Sequence, residues 1–296
     1  MKHTTSAVPS VPMVKERTNA QKILHRFLSR KVAVAGIIIF GLIFLMAVFG
    51  NSICNYDPAK IDAKARFLGP TAAHIMGTDD LGRDTFARMI DGARLTLSIT
   101  GGSVLIALVF GTLLGLIAGY RKGTLDTIIS GTMDSLWAFP AIVLAMAINT
   151  ALGASIINIV IAIGVVYIPD FYRIVRSRVI SIREMEYITG AKAIGLNDLK
   201  IIWRYVLPNL LSTLIVQLTL TAAKAVLAEA SLSFLGLGVP LPRASWGTML
   251  KSGYGFMERN IWLSIFPGLF IMLLIMSLNF LGDGLRDALD VRIRAD

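Results

Sequence analysis

The chain has 296 residues, is 55% hydrophobic and only 16% charged, and has a mean hydropathy of +0.68. Soluble domains sit near a quarter charged, so this composition excludes an ordinary soluble globular protein and points to a bilayer. The formal net charge of +10 does not indicate nucleic acid, because the basic residues cluster beside apolar runs, where membrane topology places them.

Residues 1–14, with Pro9 and Pro12 among small polar residues, read as a disordered tail. Residues 15–31 are basic, and Ile23, Leu24, Phe27 and Leu28 put an apolar stripe on a helix that either lies on the inner membrane surface or serves as a solvated lead-in. No short apolar core with a small-residue cleavage site precedes the first long apolar run, so a removed signal peptide is not expected. That run, 32–50, matches the ~20 helical residues a bilayer core requires. Cys54 is the lone cysteine, which rules out an internal disulfide. Within 51–94, residues 78–91 suggest an amphipathic helix capped by Thr78 or Asp79, with Asp79–Arg83 and Asp84–Arg88 as ion pairs four apart. Asp79, Asp80 and Asp84 match no calcium loop, and no metal site is expected.

A second uncharged run, 95–120, carries Gly111, Gly115 and Gly119 at every fourth position, a flat face for close helix contact. The following apolar stretch is too long for one helix and divides at Asn149, Gly153, Ser155 and Asn158 into spans 128–150 and 156–172. Spans 210–230 and 261–281 complete a six-helix, all-α integral membrane chain. The segment 235–260 is rich in Gly and Pro, and Trp246 and Trp262 suit the interfacial aromatic belt. The basic segments fall before span one, at Arg121 and Lys122, between spans four and five, and at Arg286, Arg292 and Arg294. All lie on one side of a six-span chain, so both termini are expected in the cytoplasm. The resulting division is 1–31 tail and basic helix, 32–50 first span, 51–94 extracytoplasmic segment, 95–283 five-span core with cytoplasmic loop 173–209, and 284–296 cytoplasmic tail.

Charges near spans require an account. Asp134 is expected about one turn into span three, and Lys224 and Glu229 late in span five. Lys224 and Glu229 either line a substrate path, or pair with each other or reach the outer interface. The polar island 183–209, REMEYITGAKAIGLNDLKIIWRYVLPN, predicts helix, elbow, helix. Met185, Ile188 and Ala191 or Lys192 recur on one face, Gly195 suits a left-handed stop, and Asn197 or Asp198 suits the next N-cap. Leu199, Ile202 and Val206 then share a face, and Pro208 ends the second helix.

No GxxxxGK loop, HExxH, CxxC or GxSxG occurs, and His3, His25 and His74 are scattered, so no catalysis and no bound cofactor are expected of this chain. A helix bundle without its own energy source uses a gradient or is driven from outside. The cytoplasmic island favours an external motor over a gradient-driven carrier or an intramembrane enzyme.

The run TGAKAIG at 189–195, then eleven residues, then Leu207-Pro208, resembles the EAA loop of binding-protein-dependent ABC importer permeases. Thr189 and Gly190 replace the usual Glu and first Ala, and Tyr205 the usual Ile. MGTDDLGRDTFARMIDGARLTL (76–97) and EASLSFLGLGVPLPRASWGTML (229–250) are similar to segments of the second permease subunit of dipeptide, oligopeptide and nickel importers. The resemblance implies the type I importer permease fold in the inner membrane. It also implies a second homologous permease, two cytoplasmic ATPase subunits that use the ATP, and an extracytoplasmic substrate-binding protein. By position, the ATPase-coupling residues are Glu186, Thr189, Gly190, Ala191, Lys192, Ala193, Ile194 and Gly195, with Leu207 and Pro208 completing the motif. The cargo implied is a di- or oligopeptide, with nickel or another metal chelate, an opine or a glutathione-like solute as alternatives.

Overall fold

The structure, a computed structural model, describes residues 19–240 and 242–289. The tail 1–14, the start of the basic segment, and Arg292 and Arg294 lie outside the described residues. Those described are helical, apart from connecting loops, one 3₁₀ turn at Ala63–Ala65 and an isolated bridge between Thr78 and Asp84. In chain order the α-helices are α1 (Asn19–Ser29), α2 (Lys31–Ile53), α3 (Thr85–Tyr120), α4 (Thr124–Trp137), α5 (Ala141–Leu152), α6 (Ile156–Arg183), α7 (Glu186–Ala193), α8 (Asp198–Ile201), α9 (Leu207–Phe234), α10 (Trp246–Tyr254) and α11 (Trp262–Leu289). Among the described residues five stretches are long and apolar enough to cross a membrane, and α4 with α5 forms a pair bent by 96°.

The bent pair runs from one end of the bundle to the other. α3 and α6 end together, since Lys122 pairs with Glu184 at 3.6 Å. Asp126, early in α4, is held by Arg176 near that end, whereas Asn149, late in α5, donates through Nδ2 to the Leu237 carbonyl (2.8 Å) beyond the far end of α9. The single span expected at 128–150 is therefore broken. Pro140 has no N–H and disfavours helix in the residue before it, so the chain turns at Ala138–Phe139 and restarts at Ala141. Asp134 consequently sits in the last turn of α4 beside the bend, deeper than the first turn expected for it.

The α3–α6 seam forms the centre of the bundle. Gly111, Gly115 and Gly119 lie against Phe171, Val175 and Val179, one helical turn per contact, and Gly164 returns the contact against Ile106. Gly111, Gly115 and Gly119 are all buried. The stripe expected from the sequence is a packing surface.

At one end of the bundle Arg30 pairs with Asp287 (3.3 Å), and Arg178, Ser212 and Arg286 border a cleft of about 360 Å³. This gathers the starts of α2 and α9 and the ends of α3, α6 and α11. At the other end the 54–84 and 235–261 segments meet: Asn260 Nδ2 donates to the Leu68 carbonyl (3.1 Å), and the Phe67 and Phe256 rings meet edge to face at 5.1 Å. Trp246, expected at the interface belt, is 0% exposed. Its Nε1–H donates to the Met89 carbonyl (2.9 Å), and Gly92 leaves room for its ring. Trp262, at the start of α11, remains accessible.

The amphipathic helix expected at 78–91 does not form. Thr78–Asp84 is a tight turn with positive-φ glycines at Gly77 and Gly82, and α3 begins at Thr85 and runs unbroken to Tyr120. The cap is Asp84, whose Oδ1 accepts from the Ala87 N–H (2.8 Å), rather than Thr78 or Asp79. Asp79 does pair with Arg83 (2.7 Å), across the turn. Arg88 faces Asp79 (3.5 Å) instead of Asp84, and Asp84 Oδ2 meets His74 Nδ1 at 2.8 Å. Replacing Asp84 with Ala removes the cap, and a loss of about 1 kcal/mol is expected. It is read as a lowered unfolding midpoint of the detergent-purified protein; Asp84→Asn, which retains the cap acceptor, should fall by less.

Candidate coupling elbow and midspan charged face

α7 is held to the bundle by Ile188 and Ala191, 0% and 5% exposed, while Met185 faces out. Past Ala193 the Leu196 N–H donates to the Ala191 carbonyl (3.1 Å) and the Gly195 N–H to the Lys192 carbonyl (2.9 Å), the paired closure of a helix ending in a left-handed residue. Gly195 has φ +80° and supplies that conformation. Asn197 then accepts from the Leu199 N–H (2.8 Å) and caps α8. Tyr120, closing α3, seats the elbow: its hydroxyl donates to Asp198 Oδ1 (2.7 Å), and Lys192 Nζ lies 5.2 Å from its ring centre. Of the residues expected at the coupling contact, Glu186, Thr189, Gly190, Lys192, Ala193, Ile194 and Gly195 face outward, while Ala191 faces in. Ile194 is 77% exposed at the tip.

Pro208 does not end the second helix. A π-helical turn at Ile202–Val206 joins α8 to α9, and Pro208 sits in the first turn of α9. Pro208 lacks the N–H that an α-helix would offer the Arg204 carbonyl, and the wider turn absorbs that break. Asn209 Nδ2 donates to the neighbouring Tyr205 carbonyl (2.6 Å). The wider turn also shifts the register. Of the expected face only Val206 is buried, with Ile201 beside it in the core, whereas Leu199 and the half-buried Ile202 turn out with Trp203 to border an apolar cleft of about 790 Å³ against α3.

The expected pairing of Lys224 with Glu229 is absent. Glu229 is 0% exposed, accepts from Ser233 Oγ (2.7 Å) and lies 3.5 Å from Thr96 Oγ1, joining α9 to α3. Its carboxylate is enclosed between the two helices. Lys224 pairs with Asp170 at 2.7 Å, its side chain 56% exposed. Beside it Arg173 pairs with Asp134 at 2.8 Å, with side chains 41% and 61% exposed. Trp137, the last residue of α4, joins the two pairs: the Arg173 guanidinium lies 3.8 Å from its ring centre, and its Nε1–H donates to Asp170 Oδ1 (3.2 Å). Ending span four at Tyr172 missed Asp170, Arg173 and Arg176 as one set. Their spacing of three, read on a helix continued to Arg183, is the signal that would have found them. A charge at mid-bilayer costs roughly 2.5–3.5 kcal/mol on insertion scales, so such an exposed face calls for water or protein against it rather than lipid. Among the described residues no three of His, Cys, Asp and Glu stand together as a metal group; Asp79 and Asp84 are engaged by arginines and His74.

Residues 111–295 match the family "Binding-protein-dependent transport system inner membrane component". The chain belongs to this family. Residues 18–70 match "N-terminal TM domain of oligopeptide transport permease C". It is 46% identical over 265 residues, 90% of this chain and 87% of the relative, to the dipeptide transport system permease protein DppC of Alkalihalophilus pseudofirmus. It is 37% identical over 290 residues, 97% and 96% of the two chains, to the glutathione transport system permease protein GsiD of Pectobacterium atrosepticum. In fold it is similar to an inward-facing MetNI methionine ABC transporter chain, with TM-score 0.55 at 20% identity over 66% of this chain and 93% of that one. As a family member, it is a permease of the inner membrane.

Proposed function

We propose that this permease imports peptides as one half of a heterodimer with a second permease, driven by two cytoplasmic ATPase subunits and fed by an extracytoplasmic binding protein. The observation that carries the energy-coupling part is the elbow. A helix closed by Gly195 presents Glu186, Thr189, Lys192 and the 77%-exposed Ile194 as one outward ridge, a shape suited to a groove on a soluble partner. That ridge lies at the bundle end where Arg30, Lys122, Arg178 and Arg286 gather, which supports a cytoplasmic location for it and for both termini. Peptide as cargo is supported by relatives named for dipeptide and oligopeptide transport, whereas the relative named for glutathione supports the glutathione-like alternative. The solute path runs between the two permeases. Lys224 remains on it, joined by Asp170, Arg173 and Asp134, while Glu229 holds α9 to α3.

The test is reconstitution into proteoliposomes. The chain alone should neither hydrolyse ATP nor move labelled di- and tripeptides under an ion gradient. With the second permease, both ATPases and loaded binding protein, uptake should appear and depend on ATP. Gradient-driven uptake by the isolated chain refutes the importer reading.

A further inference from the structure

We infer that Asp134, Arg173, Trp137, Asp170 and Lys224 form a midspan relay for short zwitterionic peptides, an inference that rests on the importer reading above. The two ion pairs are not symmetric. Arg173 lies on the Trp137 ring, and Asp170, 11% exposed, accepts from the Trp137 Nε1–H, so one aromatic side chain fixes a cation and an anion. Their partners Asp134 and Lys224 are 61% and 56% exposed and approach from other helices. Asp134 and Lys224 can rotate into water; Arg173 and Asp170 stay. Once the mobile partners turn away, Arg173 donates to a peptide carboxylate and Asp170 accepts from a peptide ammonium.

The spacing suits that exchange. Arg173 and Asp170 are three apart on α6, so their Cβ atoms are roughly 5–6 Å apart. An extended dipeptide spans about 7 Å, within reach of two side chains on adjacent turns. Two carboxylates against two cations leave the set electrically neutral, which disfavours solutes of large net charge. Trp137, 54% exposed, flanks it with apolar surface that takes varied side chains without polar selection. The set therefore reads the peptide's ends rather than its sequence. Trp137 is the last residue of α4, immediately before the bend at Ala138–Phe139.

Three variants of the whole reconstituted importer test the relay with labelled di- and tripeptides: Arg173→Gln, Asp170→Asn, and the exchange Asp134→Arg with Arg173→Asp. Each single variant should cut uptake by about tenfold or more, the scale of one lost charge-assisted hydrogen bond, while ATP hydrolysis stimulated by the binding protein persists. The exchanged pair restores an ion pair but puts the cation on the mobile side, so uptake should stay low. Uptake near wild type in the single variants, or recovery in the exchanged pair, assigns these charges to holding helices together and overturns the relay. Stimulated ATP hydrolysis lost in step with uptake overturns it as well. If the unmodified assembly shows no ATP-dependent peptide uptake, the importer reading falls first, an outcome distinct from failure of the variants alone.

Discussion

Replacement of Gly195 by valine is expected to abolish ATP-driven uptake while leaving the chain inserted in the membrane. Gly195 has φ +80°, and a Cβ built there meets nothing within 4 Å, so the penalty is conformational rather than steric crowding. The left-handed region costs an ordinary L-residue roughly 1–2 kcal/mol, and a β-branched one tolerates it least. The cost falls on a small element. α7 has eight residues, anchored by Ile188 and Ala191, with the closure through Leu196 and Gly195 holding its end. A side chain that forces φ negative opens that closure and redirects Ile194 and the start of α8. The spans are untouched, so amounts in the membrane should match wild type by immunoblot, whereas peptide uptake should fall to background. Asparagine tolerates the left-handed region better, so Gly195→Asn should retain clearly more uptake than Gly195→Val. Equal uptake by Gly195→Val and wild type sinks the elbow reading.

The opposite phenotype is expected at Gly115. A Cβ there would stand 2.8 Å from the Val175 Cβ and 2.9 Å from the Tyr172 carbonyl oxygen, closer than real Cβ contacts come, and one of those neighbours is backbone. Gly115→Leu therefore cannot be absorbed by a rotamer change; α3 and α6 must separate along their shared seam. Overpacking costs about 1–3 kcal/mol in cores that can relax, and this site sits between two long helices that cannot shift locally. Loss of folded protein should follow, measured as aggregation on size-exclusion chromatography in detergent and as faster proteolysis. Gly101→Leu is the matched control on the same helix: nothing lies within 4 Å of its Cβ position, so it should leave a monodisperse protein. Equal behaviour of the two variants contradicts the seam.

The midspan charges mark the limit of legibility in the sequence. Asp170, Arg173 and Arg176 are plainly visible in it, but their grouping depends on α6 continuing to Arg183. Hydropathy ended that span at Tyr172, because a charged residue inside a bilayer is expensive until a partner is known. Their partners Asp134, Asp126 and Lys224 come from α4 and α9, tens of residues away. The elbow was legible for the converse reason: Gly195, Asn197 and the α7 stripe are set by interactions within a few residues. Pro208 misled because a proline normally ends a helix, and only the π-helical turn at Ile202–Val206 carries the chain through it.

The sequence alone determined the bilayer, the long apolar helices, the glycine face at Gly111, Gly115 and Gly119, and the elbow, since composition, period and turn chemistry are local properties. It also held the family motifs. Tertiary structure decided that Trp246 and Glu229 are enclosed, and that Lys224 faces Asp170 rather than Glu229. Each of those depends on which helix lies beside which. That is settled by close packing across the bundle, and no pattern along one segment of chain encodes it.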